Sequence, residues 1–383
     1  MKIVHFIPLL TKGGAERVVI DLANEAVRRG HVVSIVAWRP VAPDLGTAAL
    51  SEGIQIRYLD AKGRSLLRAY VGLFPWVIAN RKWLLAQDVI HSHLSMGSVF
   101  AAAVQLMRRL SRVRSPAVIE TYHAVGVAIP KFDRSVHARL LSRRDAVAFM
   151  AEDAYWTRYR SARRHRLFRT IPNGVSFPAA ADRASSERYR REKAKIPDGA
   201  IVLGSVGRLV PERRPDLLLD TFDRLTKRTD KKIHLLLAGE GSVRGVLKED
   251  ARRRGLGDRV HLPGLIVNPV EAFGIIDFYL TINVGAITGI AALEAASVGL
   301  PIAAIQLDPS HERDQSEWIW ASSDPQALAD HVADLLDHPT RLKQLARRQR
   351  SYAISNHSVG AMADAYERLY QEALDARRMT RAT

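Results

Sequence analysis

The sequence predicts an α/β fold built from two doubly wound parallel-sheet domains. Its 383 residues correspond to two domains or slightly more, at about 150 residues per domain. Apolar runs of strand length alternate with helical patterns from the first residue onward, as in parallel sheets covered by helices on both faces. A hydrophobic content of 47% with 25% charged residues predicts that the whole chain folds.

The predicted strands are apolar runs long enough to cross a buried sheet. In the first half they are KIVHFI, VVSIVAW, DVIHSH, AVIETYH and AVAFMA, each followed by a helical segment. In the second half they are IVLGSVG, IHLLLAG, DFYLTIN and LPIAAIQ. Because such strands need helices on both faces, each half is expected to form a sheet of its own.

The stretch 171–199 is predicted to connect the two domains. It lacks strand periodicity and is rich in Pro, Gly, Ser and charged residues. The expected domains are therefore 1–178 and 196–357.

From Asp324 onward the pattern is helical, with helices expected at 324–337, 339–355 and 358–378. No further strand follows for these helices to cover. The final segment, 358–383, is therefore expected to cross back onto the first domain.

Composition excludes several classes of protein. The chain has no cysteine, which excludes disulfides, thiolate nucleophiles and cysteine-based zinc sites, and fits a reducing compartment. The longest uncharged apolar run, Ala69 to Ala79, contains Pro75 and is shorter than the roughly 20 residues of a membrane-spanning helix. The opening MKIVHFIPLL passes directly into a glycine loop, so we expect a buried first strand there and not a secretory leader.

The net charge of +17 is concentrated in the first half of the chain. Residues 1–180 carry 27 Lys and Arg against 12 Asp and Glu, whereas residues 181–383 carry 30 against 28. A polyanionic partner is expected, and nucleic acid, anionic lipid headgroups and a diphosphate-linked substrate are the candidates.

Gly13 and Gly14 lie in a loop between the first strand and an amphipathic helix. Glycines let the backbone approach a ligand closely, and the start of a helix offers unpaired N–H groups to a phosphate. A tight turn is the more common explanation for such a pair taken alone, and the three-glycine dinucleotide fingerprint is absent.

His91, His93 and His123 fall at or just beyond the carboxyl ends of neighbouring predicted strands, the edge where parallel sheets bind ligands. An imidazole there can donate a hydrogen bond to a sugar hydroxyl or phosphate oxygen. Structural hydrogen bonding is the alternative for each histidine. A metal site is not expected, because no carboxylate or cysteine cluster completes a ligand set.

Arg208 follows a strand of the second half, and Arg213 is expected to open the next helix. Two guanidinium groups at one sheet edge can neutralise a diphosphate and stabilise it as a leaving group without a metal. A solvated charge cluster is the alternative for Arg213 and Arg214. After the next strand, Gly239 and Gly241 could bring the backbone close to a ribose or base.

Glu294 is predicted to lie in a helix that begins at Gly289 and is otherwise apolar or small. A buried carboxylate requires a hydroxyl or N–H partner, and a ribose diol supplies such a partner. Glu294 is therefore a candidate nucleotide-binding residue.

Five motifs follow one another over nearly the whole chain: GGAERVVIDLA, IPNGV, VGRLVPERRPDLLL, LAGEG and TGIAALEAASVGLPIAA. In this order they resemble the family 4 retaining glycosyltransferases of the GT-B fold. The resemblance implies two Rossmann-like domains facing across a cleft. It also implies an NDP-sugar donor held mainly by the second domain, an acceptor held by the first, no essential metal or other cofactor, and a C-terminal helix crossing back.

Residue by residue, the resemblance places Gly13 and Gly14 beside the donor phosphates and His123 near the transferred sugar. It makes Arg208 a diphosphate-binding residue, with Arg213 in the position usually held by lysine. It makes Glu294 the ribose-binding glutamate.

Ala286 departs from the family pattern, since it replaces the first of two paired glutamates, the one expected against the donor sugar. Loss of such a contact costs a few kcal/mol of transition-state stabilisation when nothing compensates. Three outcomes remain open: a different donor sugar, compensation by a neighbour such as Thr288 or Asn283, or weakened turnover. With the other donor-binding positions retained, altered donor recognition is favoured, and Thr288 and Gly289 are expected to contact the donor.

The segment 64–86 mixes Leu, Phe and Trp with Arg and Lys, a composition typical of segments that lie on a membrane surface. Arginines at 108–114, 139–144 and 158–169 add to the basic character. A core helix with solvated flanks is the alternative. With the charge asymmetry, this segment suggests an acceptor linked to a polyprenyl diphosphate.

The sequence thus predicts a hexosyltransferase of cell-surface polysaccharide biosynthesis that uses a UDP or GDP sugar. We expect it in the cytoplasm, peripheral on the inner face of the membrane. A nucleotide-sugar-binding or assembly subunit that has lost turnover through Ala286 is the alternative. Specific nucleic-acid binding is not expected, because only charge favours it and no reading motif is present.

Overall fold

The computed structural model describes residues 1–11, 13–41, 49–60, 66–123, 143–151, 167–177, 182–266, 268–283, 287–311 and 318–379. The chain divides into two compact units. The first comprises Met1–Gly174 and Val359–Thr383, and the second comprises Val175–Ser358.

The first unit contains a parallel sheet that has seven strands in its described part. These are β1 (Lys2–Phe6), β2 (Val32–Ala37), β3 (Gln55–Tyr58), β4 (Val89–His93), β5 (Ala117–Tyr122), β6 (Ala146–Phe149) and β7 (Leu167–Thr170). Their spatial order is β3-β2-β1-β4-β5-β6-β7, and every neighbouring pair is parallel. The order reverses at β1, so the edge beyond β1 and β4 is a switch point, where such sheets bind ligands.

The helices described in this part are α1 (Gly14–Arg28), α2 (Leu66–Ala79), α3 (Arg81–Leu85) and α4 (Leu94–Leu110). Helix α1 forms because Val18, Leu22 and Ala26 recur at four-residue spacing and are buried against the sheet. Arg28 in its last turn complements the negative end of the helix dipole.

The second unit contains a six-stranded parallel sheet in the residues the structure describes. Its strands are β8 (Ile201–Val206), β9 (Ile233–Ala238), β10 (Val260–Gly264), β11 (Phe278–Asn283), β12 (Ile302–Gln306) and β13 (Trp320–Ser322). Their order is β10-β9-β8-β11-β12-β13. The order reverses at β8, so the switch point of this sheet lies beyond the carboxyl ends of β8 and β11.

Helices surround this second sheet. They are α5 (Arg183–Arg188), which continues into a π-helical turn at Tyr189–Ala194, α6 (Asp216–Leu225), α7 (Arg244–Arg253), α8 (Pro269–Phe273), α9 (Ile290–Ser297), α10 (Pro325–Asp337) and α11 (Pro339–His357). Asp324 caps α10 by accepting a hydrogen bond from the Gln326 N–H at 2.9 Å. Buried Gln349 joins α11 to β12, because its amide bonds both the N–H and the carbonyl of Ile302.

The last helix, α12 (Val359–Met379), belongs to the first unit, as the sequence predicted. Its buried face includes Met362, Tyr366, Tyr370 and Ala373, a helical spacing of three to four residues. Arg377 near its end pairs with Asp145 of the first unit (Nη1–Oδ1 2.8 Å). Packing and charge therefore both attach this helix to the first sheet.

The second unit begins within the stretch 171–199 that was predicted to connect the domains. Its described residues 175–177 and 182–195 belong to the second unit, and Tyr189 and Ala194 are buried in its core. The Val175 N–H donates to the His357 carbonyl at 2.8 Å, so the chain enters and leaves this unit at one place. Polar residues on the exposed side of α5 gave this stretch the composition of a linker.

Candidate functional site

In the second unit, the predicted phosphate-binding arginines lie at the carboxyl end of β8. Arg208 follows the strand. Arg213 does not open the next helix as predicted, because it ends a 3₁₀ turn at Pro211–Arg213 and α6 begins only at Asp216. Both are exposed, and neither guanidinium contacts a carboxylate among the described residues. Arg214 differs, because it forms an ion pair with Asp216 (Nη2–Oδ2 2.7 Å).

Arg208 and Arg213 are close enough to influence each other. Although the Arg213 side chain reaches solvent, partial desolvation by the surrounding protein and the positive charge of Arg208 both lower its pKa. Arginine nonetheless stays protonated, so the two like charges persist side by side. An anion bound to both would relieve this repulsion, and a diphosphate fits the requirement.

Glu294 is buried, at 9% exposure, within helix α9. Its neighbour Tyr279 lies in β11, where burial, with a contribution from the Glu294 charge, raises the tyrosine pKa. The Tyr279 hydroxyl also lies 3.1 Å from the N–H and 3.2 Å from the carbonyl of Val206. Tyr279 therefore links the Glu294 side of the site to the end of β8, immediately before Arg208.

Thr288 and Gly289 lie where the chain turns from β11 into α9. Gly289 is the N-cap of this helix, and no side-chain cap is found among the described residues. The first N–H groups of a helix have no partner within it, so those of α9 are able to donate to a ligand. Thr288 is buried beside it, at 8% exposure. Ala286, the departure from the family pattern, lies outside the described residues.

Asn283 and Gln306 are buried polar residues that sit side by side in the β11–β12 register. No described residue hydrogen-bonds the amide group of Asn283, which is 1% exposed. The sequence indicated Asn283 only as a possible compensating neighbour of Ala286 and indicated no role for Gln306 or Tyr279. The available signal was a polar residue inside an otherwise apolar strand.

Gly239 and Gly241 have a packing role in the structure. A Cβ atom on Gly239 would lie 1.8 Å from the Gly207 carbonyl oxygen, and one on Gly241 would lie 2.0 Å from that of Leu209. The two segments are paired through the Leu209 N–H, which donates to the Glu240 carbonyl at 2.9 Å. These glycines hold the Arg208 loop against the loop after β9.

In the first unit, Gly13 is the N-cap of α1 and Gly14 is its exposed first residue. The Glu16 side chain folds back over Gly13 and accepts a hydrogen bond from the Thr11 hydroxyl at 2.9 Å. A carboxylate thus already lies near the positive end of the α1 dipole, where the sequence suggested a phosphate.

The predicted histidines lie together at the carboxyl ends of β4 and β5, and His5 of β1 joins them. Nδ1 of His93 lies 2.9 Å from Nε2 of His123, and Nε2 of His93 lies 3.3 Å from Nδ1 of His5. His91 contacts the Tyr370 hydroxyl through Nδ1 and the Thr121 hydroxyl through Nε2, both at 2.7 Å. His5 was not predicted, although it interrupts the apolar strand KIVHFI.

His5, His91 and His93 place ligand-type nitrogen atoms within 4.8 Å of one another. Both ring nitrogens of His91 and of His93 are already hydrogen-bonded to protein groups. The trio is also fully buried. We therefore interpret it as a hydrogen-bonded cluster.

Part of the basic character predicted for the surface is internal. Arg144 is fully buried and donates to Glu120, Gln105 and the Ser98 carbonyl at 2.6 to 2.7 Å. Arg108 is also buried and pairs with Asp145. The expectation that these two arginines add to a surface patch is therefore wrong, because carboxylates inside the unit neutralise them. Of the predicted basic groups, residues 139–142 and 158–166 lie outside the described residues.

Helix α2 presents an apolar face to solvent. Val71, Phe74 and Ile78 are 68%, 46% and 59% exposed, while Leu73 and Val77 on the other side are buried. The tryptophans expected at the surface instead pack inward. The Trp76 N–H donates to the Tyr58 carbonyl at 3.0 Å, and the Arg57 guanidinium covers the Trp83 ring at 4.1 Å.

Helix α4, which packs on α2, ends in a similar apolar surface. Leu106 and Leu110 are 52% and 76% exposed, and Arg109 and Arg112 beside them are also exposed. In the described part of the chain, every helix is too short or too polar to span a membrane.

Two family models together match most of the chain. "Glycosyltransferase Family 4" matches residues 12–177 and "Glycosyl transferases group 1" matches residues 186–356. The boundary between the two matches falls close to the boundary between the two structural units.

Among similar proteins, the D-inositol 3-phosphate glycosyltransferase 2 of Catenulispora acidiphila is 29% identical over 210 residues, which are 50% of this chain and 48% of that protein. The alpha-monoglucosyldiacylglycerol synthase of Streptococcus pneumoniae is 28% identical over 141 residues, 36% of this chain and 32% of its own length. These matches therefore span about half and about one third of the two relatives.

Among solved structures, HepE of Anabaena, crystallised with UDP and glucose, has a TM-score of 0.77 at 16% identity, and the match covers 97% of this chain and 99% of HepE. At that identity the likeness concerns the fold. Because family models match both units and the fold agrees over nearly the whole length, the chain belongs to the family 4 glycosyltransferases of the GT-B fold.

Proposed function

We propose that the protein transfers a hexose from a UDP or GDP sugar to a lipid-linked glycan acceptor, with retention of anomeric configuration and without a metal or other cofactor. In this proposal Arg208 and Arg213 bind the diphosphate and stabilise it as it leaves. Glu294 binds the ribose, and His123 binds the transferred sugar.

The observation that carries the proposal is that Arg208 and Arg213 meet no carboxylate among the described residues at the switch point of the second sheet, where the buried Glu294 lies in the helix that follows β11. Two fixed cations stabilise the charge that develops on a departing diphosphate, the role a metal ion has in other transferases. The UDP bound by HepE also favours a uridine nucleotide.

Arg208→Ala should abolish nucleotide-sugar binding, because it removes one of the two cations. Thermal shifts measured with UDP, GDP and ADP sugars test this, since a ligand at 100 times its Kd stabilises the folded state by about 2.7 kcal/mol. Arg214→Ala is the matched control, because Arg214 is already paired with Asp216. An undiminished shift for Arg208→Ala would refute the diphosphate assignment.

Turnover is measured with the donor that gives the largest shift, with EDTA present in a parallel reaction. We expect the α-anomeric donor to yield an α-linked product, observed by NMR, at a rate that EDTA does not change. An inverted product, or a rate lost in EDTA, would refute the retaining or the metal-independent part of the proposal.

A second candidate, a nucleotide-sugar-binding subunit without turnover, is favoured by Ala286. Binding of a donor without transfer or hydrolysis would support it. Ala286→Glu would then be expected to create measurable turnover, whereas in an active enzyme with altered donor recognition it should change which sugar is preferred.

The acceptor assignment rests on the exposed apolar face of α2 and the neighbouring end of α4. Exposed apolar residues flanked by cations match a bilayer surface with anionic headgroups. The glycolipid synthase of Streptococcus pneumoniae, named for a diacylglycerol product, favours a lipid acceptor as well. We therefore propose that the protein docks at the inner face of the cytoplasmic membrane.

Sedimentation with vesicles containing anionic lipid tests this docking. Replacing Val71, Phe74 and Ile78 with Ser should release the protein from the vesicles at low salt. The control is Val246→Ser, which changes a residue 65% exposed on α7 of the second unit. Equal binding by both variants would contradict docking through α2.

A further inference from the structure

His5, His93 and His123 form a continuous chain of three imidazoles that crosses the first sheet from β1, through β4, to the residue just beyond β5. His5 and His93 are fully buried, whereas His123 is partly exposed. The imidazole chain ends on its inner side at Nε2 of His5, a buried atom that has no hydrogen-bond partner among the described residues. The outer end is Nδ1 of His123.

The three rings are neutral near pH 7. Burial lowers the pKa of His5 and of His123 to about 4 each, and lowers that of His93 well below its usual value. A neutral imidazole has one N–H donor and one acceptor nitrogen. When His93 donates to one neighbour, it must therefore accept from the other.

Only two proton arrangements satisfy both hydrogen bonds. In the first, His5 donates from Nδ1 to His93, and His93 donates from Nδ1 to Nε2 of His123, so His123 carries its proton on Nδ1. In the second, every donor is reversed, and His5 is left with a buried N–H on Nε2 that has no described acceptor.

The unpartnered atom of His5 distinguishes the two arrangements. Buried N–H groups without a partner are rare, and unused acceptor positions are better tolerated. The first arrangement leaves an unused acceptor on His5, and the second leaves an unused donor. The first is therefore the more stable.

We propose that His5 and His93 are positioning residues that hold His123 as its Nδ1–H tautomer, so that it presents a hydrogen-bond donor to an oxygen of the transferred sugar. The tautomer assignment depends only on the imidazole chain. The sugar contact rests on the function proposed above.

The tautomer is measured directly by long-range ¹H–¹⁵N NMR of protein labelled at its 13 histidines. His123→Asn identifies the His123 signals by their loss. We expect wild-type His123 to be protonated on Nδ1 without any donor present. Protonation on Nε2 would overturn the proposal.

The dependence on His93 is tested with the isosteric pair His93→Asn and His93→Leu. The Asn amide can still donate to Nε2 of His123, so it should preserve the Nδ1–H tautomer, whereas Leu should give a mixture of tautomers. His91→Gln is the control. It changes a buried neighbour that is not part of the imidazole chain, so the His123 tautomer should stay as in the wild type. Identical His123 tautomers in the Asn and Leu variants, with both shown to be folded by circular dichroism, would overturn the role of His93.

The consequence for catalysis is measured as kcat/KM for the donor. Loss of one neutral hydrogen bond corresponds to about a fivefold decrease, which we expect for His93→Leu and not for His93→Asn. Absence of turnover in every variant, with the tautomers as expected, would refute the proposed function and leave the imidazole chain intact. Equal kcat/KM in an active Leu variant would refute the sugar contact.

Discussion

The loop that carries Arg208 is positioned by backbone contacts that only glycine permits. Because a Cβ on Gly239 would lie 1.8 Å from the Gly207 carbonyl, Gly239→Ala must push apart the loops after β8 and β9. We expect it to destabilise the second unit by about 3 kcal/mol, the range of strained or overpacked substitutions. Urea unfolding of the protein without ligand measures this loss.

Gly245→Ala is the matched control for that prediction. Gly245 lies in helix α7, and a Cβ there would meet nothing within 4 Å. Alanine should stabilise the helix by about 0.5 to 1 kcal/mol. A stable Gly239→Ala protein would show that this glycine is not required for backbone packing.

Single residues were predictable from the sequence to different degrees. Arg208 and Arg213 follow a recognisable strand, so their place at a sheet edge was predictable, and the structure adds that neither meets a described carboxylate. His5 was not predictable as part of a site. Its partner His93 is 88 positions away, and only the parallel pairing of β1 with β4 brings the two together.

The docking of α12 on the first sheet depends on two buried tyrosines. The Tyr370 hydroxyl bonds His91, and the Tyr366 hydroxyl lies 2.8 Å from that of Thr121. Tyr370→Phe leaves Nδ1 of His91 buried without this partner, which should cost about 1 to 3 kcal/mol of unfolding free energy. Hydrogen exchange in β4 and α12 should become faster.

Tyr352→Phe serves as the control for that change, because Tyr352 lies on α11 and is 40% exposed. Tyr352→Phe should change the free energy of unfolding by no more than about 0.5 kcal/mol. Equal protection of α12 in the wild type and in Tyr370→Phe would contradict the role assigned to this hydrogen bond.

The strands that the sequence did not predict all lie at the edges of the two sheets. Strands β3, β7, β10 and β13 are the outer strands of their sheets. Each has partly exposed residues, so none reads as the continuous apolar run that identified the inner strands. Periodicity therefore predicted the buried part of each sheet and not its edges.

At the scale of the whole molecule, the histidine cluster should make stability depend on pH. The pKa of His5 and of His123 falls from 6.5 to about 4 on folding, and burial also lowers those of His91 and His93. Below pH 6.5 the unfolded chain binds protons that the folded chain excludes. The free energy of unfolding should therefore fall as pH decreases from 6.5 toward 4.

At pH 5 the loss of unfolding free energy should be about 2 kcal/mol for His5 and about 2 kcal/mol for His123. Urea unfolding at pH 7.5 and pH 5.0 measures it, with hydrogen exchange in β1 and β4 as a local readout. His5→Phe should reduce the difference between the two pH values, and His338→Ala, on the surface, should not. Equal stability at both pH values would contradict neutral burial of the cluster.

The sequence by itself determined the fold class, the inner strands, the terminal helices and the residue types of the candidate donor site. It did so because burial imposes a local period on apolar residues, and because loops that follow strands carry recognisable motifs. Only the tertiary structure decided that Gly239 and Gly241 pack on backbone, that Arg108 and Arg144 are neutralised internally, and that His5 belongs to the His123 chain. Each of these depends on groups that are distant along the chain and are brought into contact by sheet order, which no local pattern encodes.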